Sequence, residues 1–456
     1  MDGPLDFESE DPLLSAPVTK KRKKVIGLDD LLTDFYKEKS KMIERESKQA
    51  KARKNDNSDD DESDNRKEAM LSRKINECHN QMKDMTGDEE ISRWGVQVFA
   101  NQKSPPAFTS PELGSWSLLQ SFMRDKLNSL VELTTESEEN FLEELLVNGW
   151  LLRLVSKHMH VEEPIAKWTF NLMLYSTKEE LRMPACDFWC TILSPLNQAE
   201  KLSVSTEWFP CYADLKGALA TYGYLFNCSS HIKSTNTDSN SGGPPENIRS
   251  WIKFTTACFH VRSKHSLFSA SEAQELLEFV MFMSLDRQLQ GLLILLSECM
   301  QSAVSYFTDQ EWSTSCEEIA KTLACRVPRD LNCLRALECI SGGSTRSRHL
   351  RSVVAYQILL VCFDNKAADE EGILNLLISI NVKEKSCDFF NMYIYLVLTE
   401  NWLISNPSLE YSPLIYEMWG VYLRNCSCQI SSTDLRPYAS KVRTEASYLL
   451  NSSSKK

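Results

Sequence analysis

Residues 138–158 read EENFLEELLVNGWLLRLVSKH. Phe141, Leu142, Leu145, Leu146, Trp150, Leu151 and Leu154 recur at the three- and four-residue intervals that put them on one broad face of a helix. Pro164 then opens a second helix through Trp168, Leu172 and Tyr175, and Ser176 and Thr177 with Glu179 and Glu180 give capping-box starts for a third. The same punctuation predicts further helices at about 205–226, 247–260, 270–283, 286–305, 309–325, 328–340, 346–363, 370–380, 386–404, 410–424 and 433–450. Strand-like alternation is nearly absent. Short connections and wide apolar faces predict an all-α fold of stacked antiparallel helix pairs. No residue motif recurs at fixed spacing, so the expectation is an irregular HEAT- or armadillo-like helical array.

Composition agrees with a helical body. The 456 residues are 42% hydrophobic, enough for a large core. There are 15 glycines, where average usage gives about thirty, and phosphate-cradling loops and tight strand-to-helix turns need that residue. No Gly-x-x-x-x-Gly-Lys-Ser/Thr or Gly-x-Gly-x-x-Gly run occurs. Gly342 to Thr345 reads as a turn between helices. The net charge of -12 argues against a chain that coats nucleic acid over its whole surface.

Fifteen cysteines sit mostly inside apolar helical patterns, as a reduced intracellular chain uses them. Cys186-x-x-x-Cys190 and Cys426-x-Cys428 lack second pairs at finger spacing, and His158-x-His160 would point its rings to different faces of a helix. Neither a metal nor any other cofactor is expected, and no residue stands out as catalytic. A dispersed Cys/His site assembled in space stays open as an enzyme reading. The acidic start, Met1 to Asp11, has no apolar core of a secretory signal, and no apolar run reaches the roughly 18 residues of a membrane span.

Residues 1–110 differ in kind. Between residues 20 and 54 there are 13 Lys and Arg against 6 Asp and Glu, followed by the acidic block from Ser58 to Asp64. Such charge blocks bury too little apolar surface to offset ordering entropy, so a largely disordered arm is expected. Lys20, Lys21, Arg22, Lys23 and Lys24 form a run of the nuclear-import type; the competing reading is a solvated charge run. Leu28, Leu31, Leu32, Phe35, Tyr36 and Ile43 give the stripe of a short amphipathic helix, about 28–45. Ser58, ahead of Asp59, Asp60, Asp61 and Glu62, has the context of an acidophilic kinase site or of a plain acidic spacer. Ser104-Pro105-Pro106 to Ser110-Pro111 reads as a linker. Beyond it, 111–228 and 247–456 read as two helical lobes around a flexible loop, 229–246.

One basic cluster lies in the body. Arg326, Arg329, Arg335, Arg346, Arg348, His349 and Arg351 fall within two predicted helices and their turn, a candidate patch for DNA phosphate or for an acidic partner surface.

Gly27-Leu28-Asp29-Asp30-Leu31-Leu32 followed by Tyr36-Lys37-Glu38-Lys39 resembles the opening of the CANIN domain, found in Nse-six-like accessory subunits of the SMC-five/SMC-six complex. The overall plan resembles the compact plant form. The resemblance implies that Leu28, Asp29, Leu31, Leu32, Lys37 and Lys39 take the family's motif positions, with Phe35 on the same stripe. It implies a nuclear, non-catalytic scaffold that pairs with an Nse-five-like helical subunit, binds SMC arms or heads, and assists loading at damaged or recombining DNA. ATP hydrolysis would belong to the SMC partners. The alternative from another class is a general helical-repeat adaptor in nuclear transport or another nuclear assembly. Neither reading involves a membrane or a small-molecule substrate.

Overall fold

The structure, a computed structural model, describes residues 73–74, 94–107, 116–117, 120, 138–194, 204–226, 243–262, 267–406 and 412–453. Two compact units divide the chain at Cys78. In the first, Arg73 and Lys74 are described, in helical conformation and exposed. All that follows concerns the second, His79–Lys456.

The body is helical, as expected. Its elements are α1 (Glu138–Val147), α2 (Trp150–His158), β1 (His160–Val161), α3 (Glu163–Tyr175), α4 (Glu179–Leu193), β2 (Ser205–Thr206), α5 (Tyr212–Thr221) and α6 (Asn247–His260). Then come α7 (Ala270–Met283), a 3-10 turn (Arg287–Leu292), α8 (Leu293–Tyr306), α9 (Asp309–Arg326), α10 (Leu331–Cys339), α11 (Thr345–Cys362), α12 (Glu370–Ile378), α13 (Phe389–Ser405), α14 (Pro413–Gln429) and α15 (Ala439–Ser453). Pro164 sits in the first turn of α3, where its missing N–H is no loss.

Alternate helices stack side by side. α4 packs on α6 and α6 on α8; α7 on α9, α9 on α11, α11 on α13 and α13 on α15; α12 on α14. Successive pairs such as α3 with α4, α7 with α8 and α14 with α15 close the other direction. This two-way contact pattern is the irregular array that the periodicity predicts. The core is one continuous cluster, and the elements flanking 229–246 share it. Trp251 of α6 is fully buried and donates from Nε1 to Leu215 O of α5 at 3.1 Å. Asn247 Nδ2 donates to Ser176 O at 2.9 Å. Phe170, Trp189, Trp208 and Phe254 meet edge to face, with centroids between 5.4 and 6.3 Å, a geometry worth about 1 kcal/mol per pair beyond area burial.

Helix starts show where local reading succeeds and fails. Ser269 with Glu272, and Thr308 with Glu311, form complete capping boxes that begin α7 and α9, each cap worth about 1 kcal/mol. The box expected at Ser176 and Thr177 does not form: α4 starts after Lys178, and the Ser176 hydroxyl accepts from Lys178 N instead. The single helix expected over 138–158 is two. Gly149 sits at φ 72° in the turn that separates α1 from α2, and Trp150, the first residue of α2, is half exposed instead of in the core. The helix also stops before His160, because Met159 takes φ 58° and His160 enters the two-residue parallel pair with Ser205.

The largest departure from the sequence reading lies at 94–107, assigned above to the arm and its linker. Residues 94–100 form an extended strap laid on the body, with Val96, Val98 and Phe99 buried. Gly95 N donates to Asn332 Oδ1 at 2.7 Å, Val96 N to Leu285 O at 3.0 Å and Val98 N to Asp286 Oδ2 at 3.1 Å. Ala100 N donates to Gly223 O at 2.8 Å and Leu225 N returns a bond to Val98 O at 3.0 Å. Two guanidiniums lie over the Trp94 ring, Arg335 at 4.4 Å and Arg287 at 5.0 Å. Residues 101–107 then run exposed.

Glu278 of α7 is 6% exposed, and burial raises its carboxyl above the usual range against the opposing bond from Gln274 and the nearby Arg326 charge. A carboxyl raised in the folded state favours folding in its protonated form. That contribution is complete below the unfolded value of about 4 and is lost as pH rises through the raised value. Glu278→Gln is therefore expected to flatten this fall, measured as the urea midpoint against pH; an unchanged slope would remove Glu278 from the account.

Candidate interaction surfaces

The residues that sequence reading favours most for partner binding, Leu28, Asp29, Leu31, Leu32, Phe35, Lys37 and Lys39, lie outside the described residues. So do the import-type run Lys20 to Lys24 and Ser58. The arginine cluster is described, and the fold disperses it.

Arg346 reaches from the first turn of α11 to the end of α8, where it donates to Phe307 O at 2.6 Å and to Val304 O, and it pairs with Asp309. Arg329 pairs with Asp364 at 2.9 Å, just beyond the other end of α11. Eighteen residues at 1.5 Å rise put those two ends about 27 Å apart. Arg326 lies over the Phe282 ring at 3.9 Å. Arg335 is shared between the Trp94 ring and Glu338, the latter at 2.6 Å. Arg351 is half-buried, its charge felt by Glu400 of α13, whose carboxyl is raised by burial and by Glu445. Arg348 points to solvent and His349 is half-buried. Neighbours in sequence thus hold helix ends, rings and carboxylates at separate places.

Ten of the thirteen described cysteines are buried or half-buried, and Cys211, Cys325 and Cys428 are exposed. Burial pushes the thiols of Cys299, Cys316 and Cys426 up to about 12, and that of Cys339 to about 11. Cys186 and Cys190, one turn apart on α4, approach to 3.9 Å between sulfurs. Their hydrogen bond and then burial raise the Cys186 thiol. Cys426 is buried and Cys428 exposed on the next face of α14. His160 bonds to Ser205 and Glu207, each at 3.1 Å. Among the described residues no group of three or more His, Cys, Asp or Glu is placed to hold a metal ion.

Two surface features had no sequence signal. A groove between α8 and α10 is lined by Leu293, Ile294, Glu298, Gln301, Arg335 and Glu338, with Ile294 77% exposed. The second is the outer face of α2, where Trp150 stands 51% exposed with Arg153 at 4.9 Å from its ring. Other tryptophans of the body are buried or half-buried. Comparisons with protein-family models, with curated proteins and with solved structures find no match to the chain.

Proposed function

We propose that the chain is a non-catalytic scaffold subunit of the SMC-five/SMC-six chromosome-maintenance complex, acting in DNA repair and recombination in the nucleus. The observation that supports the scaffold reading is the array, in which alternate helices stack along one continuous core. Stacks of this kind offer extended faces to partner proteins. The assignment to this complex rests on the resemblance carried by Gly27 to Lys39. In this reading the stripe of Leu28, Leu31, Leu32 and Phe35 lies in a groove of the partner, and ordering on contact trades affinity for reach. The basic run at Lys20 to Lys24 serves import. The carboxylate, carbonyl and ring partners of Arg326, Arg329, Arg335 and Arg346 favour a protein-binding body over one that grips DNA by itself.

Replacing Leu28, Leu31 and Leu32 together by Asp is expected to abolish copurification of the helical partner subunit, because buried apolar anchors carry most of such a contact. The circular dichroism of the body should not change. Copurification at full strength would remove the arm from the interface, and recovery of transport receptors without SMC subunits would favour the adaptor reading.

A further inference from the structure

We propose that the outer face of α2 is a docking site for an acidic amphipathic segment of a partner protein. The proposal rests on the scaffold reading and adds a surface on the body to the one expected on the arm; it does not depend on which complex the partner belongs to.

The face is made by a break in the chain. α1 would continue into α2 along one apolar stripe, but Asn148 and Gly149 interrupt it. Gly149 takes φ 72°, and a Cβ there would meet no atom within 4 Å, so glycine is required for the backbone angle and not for room. Beyond the break, Leu151 and Val155 still face inward and are fully buried. Trp150 and Arg153 are exposed, Lys157 follows one turn later, and Val147, three residues before Trp150 at the end of α1, is 45% exposed. Among the described elements the main packing contacts of α2 are with α1 and β1, and Trp150, Arg153 and Lys157 are exposed.

The chemistry of the face selects its occupant. Trp150 to His158 contains no carboxylate, and its exposed side chains include Arg153, Lys157 and His158. On α1, the Glu143 carboxylate is occupied by Lys178 at 3.6 Å, and Glu144, one turn before Val147, is exposed, so the cationic part of the face is α2 itself, from Arg153 to His158. In a chain of net charge -12, such a face complements an acidic strand or helix. Arg153 over the indole keeps the edge of its fork available for a carboxylate. Trp150 and Val147 supply the apolar floor that an aliphatic side chain of the partner would cover. Trp and Arg are the residue types that most often anchor protein interfaces. A nucleic-acid strand would use the ring and the cations and leave Val147 without a role.

The test titrates the full chain with three fluorescent probes of equal length. One is a synthetic helical peptide with leucines on one face and glutamates on the other, one the same peptide with lysines for glutamates, and one an oligothymidylate single strand. The acidic peptide is expected to bind, more weakly as salt rises. Trp150→Ala should weaken it about tenfold or more. Arg153→Glu with Lys157→Glu should abolish it and admit the basic peptide. The urea midpoints of these variants should match that of the wild type, since the substituted side chains are exposed. Failure of the acidic peptide to bind, equal binding by Trp150→Ala, or oligothymidylate binding lost on the same substitutions would each overturn the proposal. The Leu28, Leu31 and Leu32 substitutions leave this binding unchanged, so failure of the arm assignment and failure of this one are read separately.

Discussion

Gly223→Val is expected to lift the strap from the body and to lower stability by roughly 3 to 5 kcal/mol. Gly223 adopts φ +86°, where a β-branched residue is strained. Its Cβ would also lie 2.7 Å from both Ala100 O and Asn101 O, which are backbone atoms with no rotamer to escape into. Relief requires moving the strap, which breaks the bonds of Ala100 and Leu225 and returns Val98 and Phe99 to water. Urea unfolding should show the lowered midpoint, and hydrogen exchange should quicken at Val96, Val98 and Ala100 before the helices respond. Retained protection at those amides would mean that the strap does not depend on this close approach.

Trp251→Ala should cost about as much, by a different route. The indole is fully buried where α6 meets its neighbours, so truncation leaves a cavity, and Leu215 O loses a donor. Such truncations cost about 3 to 5 kcal/mol. Trp251→Phe keeps most of the volume and gives up the hydrogen bond, worth about 1 kcal/mol. Trp150→Ala provides the internal contrast: it removes the same side chain from a half-exposed site and should change stability by no more than about 0.5 kcal/mol. Equal midpoints for Trp251→Ala and Trp150→Ala would contradict the assignment of core and surface.

These two sites mark the limit of what local sequence reading reaches. Helices α6 and α7 follow at their predicted bounds, because their apolar periodicity and, for α7, the Ser269 and Glu272 cap are written within one segment. The strap was not legible. Its apolar alternation spans only Trp94, Val96 and Val98, and its partners Asp286 and Asn332 stand 188 and 237 residues away. Gly149 was legible in principle, since Asn-Gly is a turn signal, but leucines on both sides sustained the stripe and hid the break.

The arginine cluster shows the opposite limit. Closeness along the chain was read as closeness on the surface, whereas α11 carries Arg346 near one end and has the Asp364 partner of Arg329 beyond the other. The residues that carry the family resemblance, Gly27 to Lys39, lie outside the described residues, so the fold bears on the helical architecture and not on the resemblance.

Affinity purification of the tagged full chain from nuclei, with the bound proteins identified by mass spectrometry, tests the central claim most directly. The account predicts SMC-five, SMC-six and a helical Nse-five-like subunit at near-stoichiometric recovery. A purification that recovers other assemblies and none of these would contradict it.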